Sequence, residues 1–215
     1  MTHSGTFSTI YVFCARLRRN VTIPRPKAFD RQKALIQALQ LFWRNGYSAT
    51  SVDDLSSTLH LSRSSLYATF GDKRTFFLEA LRFYRAQVIS RTARTVQEAP
   101  SPLAGIHALF DDLAAGAGNE RGAMGCFMIN SVAELVPYDP DVTEIARSYS
   151  QAVQGILADA VAHAAAQQVL RSDHTPAQLA VYLFNALQGI RILLKSGATR
   201  EQVDAVCAMT LKSLE

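Results

Sequence analysis

The chain has 215 residues, 48% apolar and 19% charged, enough to bury the core of one large domain or two small ones and too apolar for global disorder. The net charge is +4, but residues 1–100 hold 15 Lys and Arg against 6 Asp and Glu, while residues 101–215 hold 7 against 12. A basic first half on an acidic second half points to a polyanionic partner at one end only; three distant cysteines, Cys14, Cys126 and Cys207, argue against a disulfide framework and for a reducing cytoplasm.

Residues 1–28 read as a disordered extension, or as sequence upstream of the true start, with Pro24 and Pro26 marking its boundary. Within it "STIYVFCARLRR" is too short to span a bilayer. Its arginines follow the apolar part, the reverse of a signal peptide. No apolar run of the roughly 20 residues that a membrane span needs is expected, and no membrane partner.

Helix signals dominate the rest. Asp30 can cap a helix in which Ala34, Leu35, Ala38, Leu39, Leu41 and Phe42 follow helical spacing, and Asn45-Gly46 ends it. Ser51 with Asp54 three residues on is a capping-box pattern, opening a short helix to about Leu59. His60-Leu61 makes a turn, Ser62 caps the next short helix, and Gly71 ends it as the left-handed residue. From Asp72 a long helix runs to about Gln97, a span of roughly 35–40 Å. The composition shifts across "EAPSP", which sets a boundary there. Beyond it helices are expected near 102–115, 126–136, 141–168, 176–195 and 200–213, with Gly116, Gly118, Gly122 and Gly125 loosening the second connection. No stretch combines β-branched alternation with hairpin turns, so the fold class is all-α. By role, 29–75 form a three-helix unit with a helix-turn-helix, and 76–215 a helical bundle, joined by the long helix 73–97.

The second helix of the short pair, in "HLSRSSLYATFGDKRTFF", carries the chemistry. Leu66 and Phe70 are four apart and face a small core. Ser64 and Ala68 point the opposite way, flanked by Tyr67 and Ser65. Such a face, small, hydroxylated and nearly uncharged, can sink into a major groove about 12 Å wide. Arg63 can reach a guanine edge or the backbone, Tyr67 can place its hydroxyl on a phosphate, and Lys73 can add charge to another. Thr50, Ser62 and Thr69 complete the candidate double-stranded DNA contacts. The plainer reading is a serine-rich cap with Tyr67 as packing.

The stretch "ALIQALQLFWRNGYSATSVDDLSSTLHLSRSSLYATFGDKRTFFLEALRFY" closely resembles the DNA-binding domain of TetR/AcrR-family transcriptional regulators. The match includes Phe42, Gly46, Thr50, Leu55, Ser65, Leu66, Tyr67, Phe70, Lys73 and Leu78. "GCFMINSVAEL" and "LFNALQGIRILLKSGATREQVDAV" resemble one broad subgroup more weakly. The resemblance implies an all-α homodimer with an N-terminal DNA-binding unit on a pseudo-palindromic operator. It also implies a C-terminal effector-binding bundle and, in most members, repression.

In the C-terminal half the last two helices are apolar over more than one face. Leu179, Leu183, Leu187, Ile190, Leu194, Val203, Val206 and Met209 are the candidate dimer interface, against the alternative of buried core helices. Phe110, Cys126, Phe127, Asn130, Tyr149, Phe184, Asn185 and Gln188 are candidates for an apolar small-molecule effector pocket with a few polar groups. Cys126 follows a glycine at a helix start, where orphan N–H groups favour thiolate. Some members of the resembling subgroup sense electrophiles or oxidants with a cysteine in that context. A small buried hydrophobe is the alternative. His107 and His163 lack ligand partners at helical spacing, so no metal site is expected, and no cofactor. A cysteine enzyme with Cys126 as nucleophile and His107 as base lacks an orienting third group. An activator, or a ligand binder that does not touch DNA, keeps the fold and changes the output. The expectation is a ligand-responsive repressor rather than an enzyme.

Overall fold

Local capping chemistry sets most of the helix boundaries. In the computed structural model, which describes residues 30–136, 138–170 and 173–214, α1 spans Arg31–Asn45 and α2 Val52–Leu59. Ser51 and Asp54 close the capping box on α2 in both directions, which satisfies two otherwise orphan N–H groups. His60, at φ 54°, ends α2 in the left-handed conformation. α3 follows as Arg63–Phe70, with the Ser62 hydroxyl accepting from the Ser65 N–H at 3.1 Å. Gly71, at φ 75°, reverses the chain without the clash that a Cβ would bring. Asp72 then caps α4, Lys73–Gln97. The extension 1–28, with Cys14, lies outside the described residues.

The remaining helices are α5 Pro102–Ala114, α6 Glu120–Met124, α7 Phe127–Leu135, α8 Pro140–Ala166, α9 Pro176–Lys195 and α10 Arg200–Lys212. Among the described residues there is no strand. The short α6 was not expected, because its glycines read as a loose connection. Asn119 caps it, and Gly122 is buried in it, where an added Cβ would meet the Gly116 carbonyl oxygen at 2.1 Å. The glycine there serves close backbone approach.

Residues 31–215 cluster as one compact unit. Phe42, Leu55, Leu66, Phe70, Phe76 and Phe77 fill the space between α1, α2, α3 and the start of α4. Phe70 stacks on Phe76 with centroids 3.8 Å apart. The larger core lies between α4, α5, α8 and α9 around Ile106, Phe110, Tyr149, Leu157 and Leu183. Burying each such side chain stabilises by about 1.5–3 kcal/mol. α9, with 20 residues, is long and apolar enough to cross a membrane by length and composition, contrary to the expectation from sequence. In this fold it packs extensively on α8.

Candidate functional site

α3 has two distinct faces. Leu66 and Phe70 are buried, whereas Ser62, Arg63, Ser64, Ser65, Tyr67 and Ala68 are exposed, Tyr67 at 47%. Thr69 is partly covered and its hydroxyl donates back to the Ser65 carbonyl at 2.7 Å. Arg63 forks onto Asp53 at 2.6 and 2.5 Å. Both side chains are mostly exposed, and a surface pair of that kind is screened by water and salt and holds only weakly. A phosphate can therefore compete for the guanidinium.

Two expected DNA contacts are placed elsewhere. Thr50 is buried, its Oγ1 donating to the Gly46 carbonyl at 2.6 Å. Lys73 turns inward: Nζ donates to the carbonyls of Tyr47 at 2.9 Å and Thr50 at 2.8 Å, and lies 4.2 Å from the Tyr47 ring centroid. The turn after α1 leaves carbonyls without helical partners, and the lysine stem is long enough to reach them. Thr50 and Lys73 staple that turn.

Several contacts tie α1–α3 to the bundle. The Trp43 indole N–H donates to the Met124 carbonyl at 3.1 Å. The Glu134 carboxylate, at the end of α7, accepts from the backbone N–H groups of Tyr47 at 2.9 Å and Ser48 at 2.7 Å. Burial pushes this carboxyl up, but the donors at Ser48 and Tyr47 and the nearby Lys73 charge outweigh it, so it sits below the ordinary carboxylate range. Arg74 forks onto Asp139 at 2.9 Å and reaches Asp141 at 2.6 Å, which holds the Asp139 carboxyl low. α7 thus begins beside Met124 and ends on the turn between α1 and α2. Sequence reasoning missed Trp43 and Glu134; their partners lie 81 and about 87 residues away, beyond any helical spacing.

A cleft of about 450 Å³ opens between α1, α4, α5, α6 and α9, within the usual range for small-molecule sites. Leu39, Trp43, Tyr84, Val88, Leu113 and Leu194 give it apolar walls, and Arg91, Arg94, Arg121, Arg191 and Asp112 its charges. None of the residues expected to form an effector pocket lines it. Phe110, Cys126, Phe127 and Tyr149 are buried in the core, and Asn185 is exposed on the outside of α9. Asn130 bonds Met124 and Lys195 instead, and Phe184 packs on Tyr149. Large aromatics filled the interior, and the open space fell where long cationic side chains fan out. Three of the expected residues, Cys126, Phe127 and Gln188, nevertheless touch side chains of the wall. The Tyr84 hydroxyl donates to Cys126 Sγ at 3.4 Å, and burial pushes that phenol up. Gln188 bridges Arg191, at 3.0 Å, to the Tyr149 hydroxyl, at 3.4 Å. Cys126 is the N-cap of α7, as expected, but only 2% exposed.

The candidate dimer face also needs correction. Leu179, Leu183, Leu187, Ile190, Leu194 and Val203 are buried within the protomer. They are the inner faces of α9 and α10, packed on α8 and α5. The outer faces carry exposed Val181, Tyr182, Ile192, Val206 and Met209, the last at 76%. Of the eight expected residues only Val206 and Met209 are available to a partner.

Comparison with known proteins gives two family models. One, described as bacterial regulatory proteins of the tetR family, matches residues 35–80. The other, a tetracyclin repressor-like C-terminal domain, matches residues 102–209. The HTH-type transcriptional repressor ComR of Escherichia coli (strain K12) is 29% identical over 189 residues, 87% of this chain and 90% of ComR. The HTH-type transcriptional regulator YezE of Bacillus subtilis (strain 168) is 27% identical over 192 residues, 89% of this chain and 99% of YezE. Among solved structures, a cysteine mutant of the regulator CifR complexed with 26-bp double-strand operator DNA is similar at a TM-score of 0.76. It is 27% identical, with 89% of this chain and 100% of that one covered.

Proposed function

The chain belongs to the TetR family of bacterial regulatory proteins, and we propose that it is a homodimeric repressor released from a pseudo-palindromic operator by a small-molecule effector. The observation that carries this reading is the outer face of α3, where Ser64, Tyr67 and Ala68 are exposed, small or hydroxylated, and free of acidic residues. That shape and chemistry suit a helix lying in the major groove with its hydroxyls on base edges and phosphates. Relatives named as repressors, and a neighbour complexed with its operator, support it.

Two such helices must lie roughly 34–36 Å apart to read successive turns of one DNA face. Pairing of the outer faces of α9 and α10 through Tyr182, Ile192, Val206 and Met209 supplies the two-fold axis. A ligand in the cleft presses on Trp43, and through Met124 and α7 on Glu134 and the turn before α2. Repositioning α3 by this route needs a coupling of only about 1–3 kcal/mol. Such a regulator works in the cytoplasm beside the chromosome, and the proposal assigns it no catalysis. A reporter fused to the region upstream of its own gene tests the sign: deletion of the regulator raises expression, whereas a fall identifies an activator.

A further inference from the structure

Resting on the reading of the cleft as the effector's seat, we infer that the molecule it takes is an amphipathic anion, a carboxylate or comparable acid on an apolar body, with its charge against Arg191. The charge inventory of the walls is lopsided: four arginines face one carboxylate, Asp112. Asp112 is already shared, accepting from Arg91 at 2.6 Å and from Arg121 at 2.6 and 3.1 Å. The remaining cations have no carboxylate within ion-pair distance among the described residues.

Arg191 is the informative one. It is partly buried, and its partners are neutral oxygens, the Leu187 carbonyl at 3.3 Å and the Gln188 side chain at 3.0 Å. Both bonds use Nη1, which leaves Nε and Nη2 without a protein acceptor and not sealed from solvent, on a residue that lines the cleft. A guanidinium drawn partly out of water with only neutral partners is unfavourable until an anion joins it. Its planar fork matches a carboxylate's two oxygens. Around it, Trp43, Tyr84, Leu39 and Leu194 offer apolar surface for the rest of the ligand. A cation entering this cleft meets an excess of positive charge, with Arg94 and Arg191 facing no carboxylate among the described residues, and a neutral ligand leaves the fork unfilled.

Trp43 is the sole tryptophan of the chain and stands in the cleft wall, so its emission reports occupancy without a label. The experiment titrates the full chain with octanoate and 4-phenylbutanoate, each beside its alcohol and its primary amine. At least one acid is expected to change Trp43 emission saturably, with affinity roughly ten- to a hundredfold above its alcohol, the factor a charge-assisted bond carries. The amines are expected to be weakest. Arg191→Gln is expected to bring the acid down to the alcohol's level, with unchanged circular dichroism certifying the fold. Arg191→Lys is expected to recover part of the preference.

Equal affinities across each series, preference for the amine, no saturable change with either acid, or an acid preference that survives Arg191→Gln would each overturn the inference. Operator binding is measured separately on the unliganded protein. A chain that binds operator but shows no acid preference loses only this inference. One that prefers the acids but ignores DNA loses the repressor reading and keeps an anion site at Arg191.

Discussion

Trp43 donates its indole N–H to the Met124 carbonyl at 3.1 Å, and so joins the helix ahead of the DNA-binding pair to the segment that leads into α7. The same ring packs on Tyr84, with centroids 5.1 Å apart, and forms part of the cleft wall. One side chain of α1 therefore touches both the cleft and the segment that leads into α7.

Trp43→Phe keeps most of the packing and removes the donor. Met124 retains the Asn130 amide at 3.2 Å, so the loss is that of one part-buried hydrogen bond, about 1 kcal/mol. The melting midpoint should fall by about 2–4 °C for a chain of this size. Operator affinity without ligand should hold, and the ligand's effect on it should shrink. Calorimetry and a DNA titration with and without effector check the two halves.

The Glu134 clamp is pH-dependent with a definite sign. Its carboxyl lies below the ordinary value of 4.5 in the folded chain. The charged clamp therefore stabilises fully above that value and weakens as pH falls through the depressed one. Glu134→Gln should cost about 1 kcal/mol at neutral pH, the low end for charge-assisted bonds because the group is partly exposed. The gap between wild type and variant in urea midpoint should narrow steadily below about pH 4.5. A gap that is constant across the acid range counts against the clamp.

Lys73 separates two readings of one residue. As a staple, its replacement by Met removes the lysine donor from the Thr50 carbonyl and leaves the Tyr47 carbonyl only the Thr50 N–H at 3.3 Å, which should lower stability by about 1–2 kcal/mol. The slope of log affinity against log salt should then stay unchanged. A direct phosphate contact would instead reduce that slope by about 1 with little loss of stability.

The outer faces of α9 and α10 predict an oligomer phenotype. Ile192→Glu and Met209→Glu place charges on side chains that are 54% and 76% exposed in the protomer. They should yield folded monomers by sedimentation, with operator affinity sharply reduced. Leu183→Glu, at a fully buried site, should fail to fold.

The parts legible in the sequence were those that local chemistry decides. The Ser51–Asp54 box, the Ser62 cap and the Gly71 stop each involve groups within a few residues, and the helix-turn-helix follows from them. What was not legible depended on distant partners. α9 is apolar over more than one face, so periodicity alone could not say whether Leu183 or Tyr182 faces the protomer's own core. Lys73 carries a charge that reads as a phosphate ligand until the Tyr47 and Thr50 carbonyls are found beneath it. Phe110, Phe127 and Tyr149 have pocket-like chemistry but close packing, while the cleft draws its charges from Arg91, Arg121 and Arg191 on three separate helices.

The most direct measurement is a fluorescence-anisotropy titration of the dimer on a duplex from upstream of its own gene, set against a scrambled duplex. Wild type is predicted to bind the first at about 10 nM or tighter, with affinity falling steeply as salt rises. Ala68→Glu, which places an acid on the exposed face of α3, should weaken that binding at least about a hundredfold with the helical signal intact. Equal affinity for both duplexes, or an Ala68→Glu protein that binds as wild type does, would contradict the account.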